Sequence, residues 1–381
     1  MTGLATDRRP VVALVMHDLH DHGGMERAVV ELVRRARDEF RFVLVSTTVD
    51  PELAPLVDWE RVRGVPRRPF ALKFLVFAMR AGLQLRRVRA DLVHTMGAII
   101  PNRSDLSTVQ FVHRAFVTAA GRFSPPGSHG LGRLSGALSR LVSSLAEAWC
   151  YRPGRLRVAA VVSPRVERDF VELFPKISTI LTPNGVDPDR FRPDPVSRAE
   201  LREQEEVRDD ELIALFVGGD WPRKGLGLAV QAVVTVRDTG LPVTLWVVGG
   251  GDDRPYRAYG SAVRFFGPRL DVERFMQAAD FFVFPSLYEA DPLVVLEAAA
   301  SALPCVLSEA SAVVIDDASA AVVRRTVEAV AGAIVALAED GDARRAMGAA
   351  GAAQAKELTW ERSVSALVGE YRRLMSNGGT G

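Results

Sequence analysis

The sequence has few cysteines and none of the long apolar runs that mark several large protein classes. Its 381 residues include only two cysteines, Cys150 and Cys305, far apart and without neighbouring histidines. Such sparse cysteine provides neither a disulfide framework nor a zinc site, and it fits a reducing compartment. No apolar run approaches the roughly 20 residues of a membrane-spanning helix, and the first residues lack the apolar stretch of a signal peptide. We therefore expect a cytoplasmic protein.

An excess of charge of one sign is also lacking. Lysine and arginine number 48 against 47 aspartates and glutamates, and the net charge of +1 argues against a general nucleic-acid-binding protein. The hydrophobic fraction of 48% and the charged fraction of 25% are typical of folded globular chains. A chain of 381 residues exceeds the usual size of one hydrophobic core, which favours two domains.

Short apolar runs alternate with helix-like segments along most of the chain. This alternation predicts an α/β protein with parallel sheets, because parallel strands need crossover helices between them. A polar stretch from 187 to 210 predicts a connector between two such domains, at 10–190 and 191–357. The predicted strands are residues 11–16, 42–46, 91–95, 108–112, 158–162 and 177–182 before the connector, and 212–217, 243–248, 281–284 and 304–307 after it.

Two carboxylates eight positions apart, Glu289 and Glu297, follow the apolar run 281–285. Asp291 is a good helix N-cap, and Pro292 suits a first helical position. Glu289 would then lie on a strand-to-helix turn, with Glu297 about two turns into the helix. A helix start favours an anion, and carboxylates accept hydrogen bonds from sugar or ribose hydroxyls. Glu297 alone would equally fit an exposed helix residue.

Three glycine-containing turns follow predicted strands, at 23–24, 218–219 and 249–251. Glycine lets backbone amides approach a phosphate closely, and a helix is predicted after the first two turns. The second turn also precedes Arg223 and Lys224, two adjacent cations that suit a diphosphate. Each turn by itself fits a plain connection as well, and the two cations by themselves fit a solvated basic turn.

His113 directly follows the predicted strand 108–112, at a carboxyl end where α/β sheets bind ligands. That position favours a functional role over the structural role that is more usual for a lone histidine. The pair Asp187 and Asp189 fits the D-x-D pattern of metal-binding transferases. We reject it as a metal site because it lies in the connector with no other ligands nearby, and we expect no metal cofactor.

These segments, in this order, resemble the retaining nucleotide-sugar glycosyltransferases of family 4. The resemblance runs from about Val11 to Met375. It implies the GT-B fold, in which two Rossmann-like domains face each other across a cleft and a C-terminal helix, here 358–375, crosses back onto the N-terminal domain. The matching segments are GGMER at 23–27, VSPRVERDF at 162–170, PNGVDPDRF at 183–191, FVGGDWPRKGL at 216–226, VVGGG at 247–251 and the E-x₇-E segment at 289–297.

The resemblance also implies roles for individual residues. Arg223 and Lys224 would neutralise the donor diphosphate, which removes the need for a metal. Glu289 would contact the donor sugar, Glu297 the ribose, and His113 the acceptor side of the sugar. The implied catalytic residues are Glu289, His113, Arg223 and Lys224, and the implied donor-binding residues are Gly23, Gly24, Gly219, Arg223, Lys224, Phe265, Asp291, Leu293, Val294 and Glu297.

Two segments depart from the family pattern. Residues 290–292 read Ala-Asp-Pro, where an aromatic residue and Gly or Pro usually follow the first glutamate. Asp291 would therefore be either a helix cap or a determinant of sugar choice. Residues 308–311 read Ser-Glu-Ala-Ser, where the family usually has a Gly-Gly stretch. The resemblance leaves that second loop without a role.

The resemblance predicts a retaining hexosyltransferase, of the kind found in polysaccharide biosynthesis. It would move a sugar from a nucleoside diphosphate, with UDP favoured over GDP, to a hydroxyl of a saccharide, glycolipid or secondary metabolite. Two alternatives stay open: a nucleotide-sugar epimerase of the same architecture, and a non-catalytic subunit that binds a nucleotide sugar. The intact set of two cations and two carboxylates argues against the non-catalytic subunit.

Residues 61–90 contain nine lysines and arginines and no acidic residue, around an apolar segment at 70–77. A basic amphipathic helix of this kind can bind an anionic membrane, which would bring the protein to the inner face of the membrane as a peripheral protein. The same pattern also fits a core helix that packs on the sheet and leaves its arginines in solvent.

Overall fold

The structure, a computed structural model, describes residues 9–20, 23–115, 131–312, 315–316 and 318–376, with the backbone alone at 131–135. The chain divides into two compact units. The N-terminal unit comprises residues 1–183 and 360–381, and the C-terminal unit comprises residues 184–359. The chain thus enters the second unit at Asn184, a few residues before the boundary at 190 that the sequence predicts.

The N-terminal unit is built around a seven-stranded parallel sheet. Its described strands are β1 Val11–Val15, β2 Asp18–Leu19, β3 Arg41–Ser46, β4 Thr48–Val49, β5 Asp58–Arg61, β6 Leu92–Met96, β7 Ser104–Val109, β8 Leu156–Val161 and β9 Ser178–Leu181. Seven of them form one sheet in the order β5-β3-β1-β6-β7-β8-β9, and β2 pairs with β4. The chain runs from β1 to β3 on one side and later returns to β6 on the other, so the winding reverses between β1 and β6.

Helices cover both faces of this sheet. They include α1 Gly24–Ala36, α2 Phe70–Leu85, α3 Leu131–Cys150, α4 Pro164–Leu173 and the C-terminal helix Trp360–Ser376. Alternate residues of β1 enter different cores: Leu14 packs with α1 and the C-terminal helix, whereas Ala13 packs with α2. This alternation is what a strand with two covered faces requires.

The C-terminal helix belongs to the N-terminal unit, as the resemblance implies. Its residue Tyr371 is fully buried and meets the ring of Phe40 edge-on at 5.5 Å. The Tyr371 hydroxyl bonds to Nδ1 of His94, and Nε2 of His94 lies 2.8 Å from the hydroxyl of Thr108. Burial lowers the pKa of His94 to about 3, so this buried link contains a neutral imidazole at pH 7.

The C-terminal unit contains a six-stranded parallel sheet. Its described strands are β10 Leu212–Val217, β11 Val243–Val248, β12 Val263–Gly267, β13 Phe281–Phe284, β14 Cys305–Ser308 and β15 Ala320–Val323. Its described helices are α5 Pro195–Gln204, α6 Trp221–Lys224, α7 Leu226–Asp238, α8 Val272–Ala278, α9 Leu293–Ala300, α10 Val327–Glu339 and α11 Gly341–Ala355. The strand order is β12-β11-β10-β13-β14-β15, so the winding reverses between β10 and β13.

Most predicted strands and helices are present with ends shifted by a few residues, and the exceptions have clear causes. β7 ends at Val109 rather than 112, so His113 lies on a helical turn beyond the strand. β5 was not predicted, because its four residues are all exposed and an exposed edge strand has no apolar pattern. β12, β15 and the helices α8, α10 and α11 were not predicted either, and α11 is rich in Ala and Gly with only a weak apolar period.

Candidate functional site

The candidate site of the C-terminal unit lies where its sheet reverses winding. Residues after β10 form a glycine turn and then α6, which carries Arg223 and Lys224. Residues after β13 carry Glu289. Because β10 and β13 are neighbouring parallel strands, both segments leave the same edge of the sheet. In open α/β sheets this is the position at which ligands bind.

Glu289 is held in place by an ion pair that bridges the two strand ends. Nη1 of Arg223 donates to Oε1 of Glu289 at 2.8 Å and to the carbonyl of Tyr288 at 2.7 Å. The hydroxyl of Ser286 donates to the same Oε1 at 2.9 Å, and Nε of Arg223 donates to Asp220 at 2.7 Å. Burial opposes the charged guanidinium, but the two carboxylates outweigh it and raise the pKa of Arg223. Arg223 therefore orients Glu289 as well as supplying positive charge.

Lys224 is the second cation of this cluster and is half-buried. Its Nζ lies 5.2 Å from the centre of the Phe284 ring. Burial lowers the pKa of Lys224, although the charges of Glu289 and Glu297 act in the opposite direction. An ammonium that has lost part of its hydration gains strongly from any added negative charge, so this position suits a phosphate oxygen.

Two glycines bring the turns after β10 and β11 into close contact. A Cβ on Gly218, at φ 132°, would lie 2.2 Å from Nζ of Lys224. A Cβ on Gly249, at φ 134°, would lie 2.3 Å from the carbonyl oxygen of Gly218. Both positions therefore require glycine, for backbone conformation and for space. The glycine run at 249–251 thus has a packing reason in this structure.

Glu297 is buried in α9, with only 6% of its surface exposed. The structure therefore excludes the alternative of an exposed helix residue. Its charge acts on Lys224, which connects the second carboxylate of the E-x₇-E segment to the cation cluster. The contact of Glu297 with a ribose stays a prediction.

Asp291 does not cap the helix, contrary to the sequence prediction. α9 begins at Leu293, and Pro292 occupies the N-cap position. The Asp291 carboxylate instead accepts a hydrogen bond from the main-chain amide of Asn184 at 2.7 Å, and the Asn184 side chain donates to the Asp291 carbonyl at 3.2 Å. Burial raises the pKa of Asp291 to about 8, although the Asn184 hydrogen bond opposes the rise. Oδ1 of Asp291 has no hydrogen-bond partner among the described residues.

The other predicted donor-binding residues lie on neighbouring elements of the same unit. The ring of Phe265, in β12, packs 5.5 Å from that of Trp221. Leu293 and Val294 are half-buried in the first turn of α9, whose amides lack intrahelical partners. A Cβ on Gly219 would lie 3.4 Å from the carbonyl of Gly250. Their contacts with a nucleotide stay predictions.

A cavity of about 240 Å³ opens at the corresponding position of the N-terminal unit. Its lining follows β1, β6 and β7 and includes residues of α1, α2 and α3. We call it the N-terminal pocket. Among its residues are Met16, His17, Asp18, Met25, Glu26, Phe70, Phe74, Gln110, His113 and Glu147. The predicted residues Gly23 and Gly24 adjoin it at the start of α1, where a Cβ on Gly23 would lie 2.5 Å from Oε2 of Glu26.

His113 lies in this pocket but not at a strand end, contrary to the prediction. It begins the helical turn 113–115, and the amides of His113 and Arg114 donate to the Glu147 carboxylate at 2.7 and 3.3 Å. Burial lowers the pKa of His113 to about 4, so its imidazole is neutral at pH 7. Burial raises the pKa of Glu147 to about 7, although the two amides and Arg114 oppose the rise.

Sequence reasoning missed three polar residues of the N-terminal pocket. They are Glu147, His17 and Gln110. Glu147 was detectable as the only acidic residue of the predicted helix 131–150. His17 directly follows the predicted strand 11–16, which is the reasoning that selected His113. Within the described part of the chain, both ring nitrogens of His17 and Nε2 of Gln110 are buried without a hydrogen-bond partner.

No group of three or more His, Cys, Asp or Glu side chains in the described residues is arranged to hold a metal ion. Within the same ranges, no helix is both long enough and apolar enough to cross a membrane.

Two family models match the chain. The model described as Glycosyltransferase Family 4 matches residues 22–190, and the model described as Glycosyl transferases group 1 matches residues 211–340. The first match lies mostly in the N-terminal unit and the second lies within the C-terminal unit. Together they cover well over half of the chain.

Two curated relatives illustrate the sequence similarity. The lipopolysaccharide glucosyltransferase WaaG of Escherichia coli is 33% identical over 133 residues, which are 32% of this chain and 36% of WaaG. The match thus spans about a third of that relative's length. The D-inositol 3-phosphate glycosyltransferase of Streptomyces griseus is 27% identical over 438 residues, covering 99% of this chain and 91% of the relative.

Solved structures define the fold class. The crystal structure of WaaG superimposes with a TM-score of 0.77 at 20% identity, over 93% of this chain and 98% of WaaG. Anabaena HepE in complex with UDP-glucose gives a TM-score of 0.71 at 15% identity, over 96% and 99% of the two chains. The chain therefore has the GT-B fold of two Rossmann-like domains. Given the two family models as well, it belongs to the family 4 glycosyltransferases of group 1.

Proposed function

We propose that the protein is a retaining glycosyltransferase that moves a hexose from a nucleoside diphosphate, with UDP favoured, to an acceptor hydroxyl. The observation that carries this proposal is the cluster of Arg223, Lys224 and Glu289 where the C-terminal sheet reverses winding. Two cations suit a diphosphate, and an oriented carboxylate suits sugar hydroxyls. The UDP-glucose bound to HepE and the glucosyl transfer named for WaaG support a UDP-hexose donor.

In the proposed reaction, the bond between the anomeric carbon and the diphosphate oxygen breaks. The acceptor oxygen bonds to that carbon on the same face, and its proton passes to an oxygen of the departing diphosphate. Negative charge grows on the diphosphate during this step, and Lys224 and Arg223 would stabilise it. Glu289 would hold the sugar hydroxyls, and Glu297 would accept hydrogen bonds from the ribose.

His113 would contribute a hydrogen bond rather than a charge. Because its imidazole is neutral at pH 7, it offers one donor and one acceptor to a hydroxyl. The carboxylate of Glu147 fixes the backbone of the helical turn on which His113 lies. In this proposal His113 therefore helps to position the sugar and takes no proton from the acceptor.

A donor panel tests the proposal directly. The purified protein is incubated with UDP-glucose, UDP-galactose, UDP-N-acetylglucosamine and GDP-mannose, and released nucleotide and sugar products are measured. Nucleotide release with a product of unchanged anomeric configuration supports the proposal. Isomerised donor without release would favour the epimerase. A protein that binds a donor without turnover would favour the non-catalytic subunit.

We expect catalysis without a divalent metal, because the two cations supply the positive charge. Activity should survive excess EDTA within about twofold, and added Mg²⁺ or Mn²⁺ should change it little. Complete loss in EDTA that Mn²⁺ restores would overturn this expectation. It would direct attention to Asp187 and Asp189, whose spacing fits the D-x-D pattern of metal-dependent transferases.

We further propose that α2 and α3 contact an anionic membrane surface. α2 buries one face in the core, as one interpretation of the sequence predicts, yet a second apolar face is exposed. The neighbouring helix α3 has an exposed face with the same spacing. The exposed residues are Leu72, Leu75, Met79 and Leu83 on α2, and Leu138, Leu141, Leu145 and Trp149 on α3.

Arginines flank these exposed apolar faces. Arg86, Arg87 and Arg89 are all exposed just beyond the end of α2, in a segment without acidic residues. Each cation near an anionic surface contributes roughly 1 kcal/mol, so a few arginines together with buried leucines suffice for reversible binding.

Liposome sedimentation tests this contact. Binding to vesicles with 30% phosphatidylglycerol at low salt should exceed binding to neutral vesicles. It should fall when Arg86, Arg87 and Arg89 are all changed to Glu, and also in Leu75→Glu. The exposed arginines Arg208, Arg254 and Arg257 of the C-terminal unit, all changed to Glu, provide a control with the same change of net charge. Equal binding to both vesicle types would exclude the contact.

A further inference from the structure

The segment that leaves β13 is held by side chains of the loop 308–311. Backbone pairing between β13 and β14 ends at Phe284. Beyond that point the hydroxyl of Ser311 donates to the Phe284 carbonyl at 2.8 Å. The hydroxyl of Ser308 donates to the Ser286 carbonyl at 2.5 Å. Both donors are buried, with at most 3% of their surface exposed, so this loop, which the family resemblance leaves without a role, continues the contact between the strands by side chains.

A third side chain holds the carbonyl between these two. Nε of Arg325, just beyond β15, donates to the Pro285 carbonyl at 3.0 Å. Pro285 has no N–H to offer, and the amide of Ser286 bonds back to the carbonyl two residues earlier at 2.9 Å, so the backbone turns away from the sheet here. Each of the three carbonyls at 284–286 therefore accepts a hydrogen bond from a side chain that follows β14 or β15. We call these three side chains the β13 clamp: Ser308, Ser311 and Arg325.

The clamped segment carries the hydroxyl that orients Glu289. Ser286 is completely buried, and its hydroxyl lies 2.9 Å from Oε1 of Glu289. The carbonyls of Arg223 and Tyr288 are more distant, at 3.3 and 3.4 Å. A hydroxyl has a single proton to donate, and a charged acceptor forms the stronger hydrogen bond. The proton of Ser286 therefore belongs to the nearest of the three acceptors, the carboxylate.

One oxygen of Glu289 is occupied and the other is left for a ligand. Oε1 accepts hydrogen bonds from both Ser286 and Arg223, whereas Oε2 accepts none from any described residue. The Glu289 side chain still has 12% of its surface exposed. A carboxylate held through one oxygen presents the other in a fixed direction. Such positioning matters because a misplacement of about 1 Å can lower a rate about 10²-fold.

We infer that the members of the β13 clamp are positioning residues: they fix the carbonyls at 284–286, so that the Ser286 hydroxyl directs Oε2 of Glu289 to the donor sugar. This inference rests on the proposed function, because it takes the contact of Glu289 with the sugar from it. The Gly-Gly stretch that is usual in the family at 308–311 has no side-chain donor and could not hold these carbonyls. The clamp is thus a feature of this chain.

A double-mutant cycle tests the inference on the full-length protein. Ser286→Ala should lower kcat about tenfold or more, because it removes a hydrogen bond to a charged group. It should leave the affinity for UDP unchanged, since UDP has no sugar for Glu289 to contact. In the Glu289→Gln background, where the carboxylate is already lost, Ser286→Ala should have little further effect on kcat. An effect of Ser286→Ala as large in that background as in the wild type would overturn the inference.

The two serines of the clamp are tested in the same way. Ser308→Ala and Ser311→Ala should each lower kcat about fivefold, and both effects should vanish in the Glu289→Gln background. Ser319→Ala is the matched control: this serine is also buried, but its hydroxyl donates to Asp316 at the amino end of β15, the opposite edge of the sheet. Its kcat should equal that of the wild type. An equal loss in all three variants would show that losing any buried hydroxyl has this effect, and the inference would be wrong.

Arg325→Ala keeps the test available if a serine variant does not fold, because Arg325 is exposed. It should lower kcat about threefold in the wild type, as expected for one modest hydrogen bond, and should have no effect in Glu289→Gln. Arg324→Ala, at the exposed neighbouring position, is its control and should not change kcat. Equal rates of the Arg325 and Arg324 variants would count against the clamp.

The donor panel and a crystal structure separate this inference from the proposed function. If the wild type turns over a UDP-sugar and the effects in the cycles are additive, the function stands and the inference is lost. If the wild type turns over no donor, the proposed function is lost, and with it the role of the clamp. A crystal structure of Ser311→Ala in which Ser286 and Glu289 keep their positions would overturn the inference without reference to any donor.

Discussion

The two units share a topology and differ in the chemistry at the same topological position. In each unit the chain winds outward from a central strand, β1 or β10, and then returns to that strand's other side at β6 or β13. In the N-terminal unit this position is an apolar pocket with neutral imidazoles. In the C-terminal unit it is a cluster of two cations and two carboxylates. The fold therefore determines where each site lies, and side chains determine what it binds.

The distribution of titratable residues follows the same division. All six histidines of the chain lie in residues 1–183, and the C-terminal unit, 184–359, has none. Neutral histidines bond to hydroxyls without requiring a counter-ion, whereas Lys224 and Arg223 favour a ligand with negative charge. The N-terminal unit therefore offers neutral hydrogen-bonding groups at this position, and the C-terminal unit offers charged ones.

The largest expected effect comes from removing the cations of the C-terminal cluster. Lys224→Ala and Arg223→Ala should each lower turnover on the order of 10²-fold or more, because each removes a contact to charge that develops in the transition state. Initial rates of nucleotide release measure the effect, and thermal unfolding checks that the protein is folded. Lys356→Ala, an exposed lysine of the same unit, is the control and should retain full activity. Activity within a few-fold of wild type in both cluster variants would refute the diphosphate role.

The two carboxylates of the cluster should have separable effects. Glu289→Gln should mainly lower kcat, because the residue would contact the reacting sugar. Glu297→Gln should mainly weaken donor binding by roughly tenfold, since it would contact the remote ribose. Steady-state kinetics and donor titration by calorimetry distinguish the two. Equal changes of kcat and donor affinity in both variants would contradict these assignments.

The stability of the C-terminal unit should depend on pH through Asp291. Its pKa in the folded protein is raised to about 8, so the folded state retains a proton that the unfolded chain releases above about pH 4. The contribution of Asp291 to stability is therefore present at acid pH and is lost as the pH rises through 8. Asp291→Asn should remove this loss. Between pH 4 and pH 7 the free energy of unfolding of the variant should therefore fall by on the order of 1 kcal/mol less than that of the wild type. Urea unfolding at both pH values measures the effect. An identical pH dependence in wild type and variant would rule it out.

The N-terminal unit should show the opposite and smaller dependence through His94. Burial lowers its pKa to about 3, so below about pH 6.5 the unfolded chain takes up a proton that the folded state does not. Stability from this residue is present above pH 6.5 and falls as the pH approaches 3. His94→Gln, which can still bond to Tyr371 and Thr108, should lose less stability between pH 7 and 5. Hydrogen exchange of peptides from β6 and the C-terminal helix measures this, and an unchanged acid response would show that His94 is not responsible.

Features with a local pattern were predicted well from the sequence. β10, β11 and β13 have the predicted bounds, because a short apolar run between turn residues needs only its own residues to be recognised. The cation pair after β10 and the carboxylate after β13 likewise follow from their order relative to strands. Parallel strands then bring Arg223 and Glu289 to the same edge without further information.

Features that depend on distant partners were predicted poorly. Asp291 had the sequence of a helix cap, but it bonds to Asn184, which is 107 residues away, and Pro292 takes the cap position. Glu297 fitted an exposed residue as well as a buried one, until packing of α9 decided between them. His113 depends on Glu147, 34 residues further along the chain, which fixes its backbone.

The sequence by itself determined the α/β class, the two-unit organisation, the order of strands and turns, and the presence of two cations and two carboxylates at strand ends. Only the tertiary structure decided which of these groups are paired, which are buried and which polar atoms are left without partners. The physical reason is the distance along the chain between the residues that set each property. Strand and helix patterns arise from neighbours within a few residues, whereas burial, and with it the pKa of Asp291, Glu147 and the histidines, is set by side chains that packing brings together from distant parts of the chain.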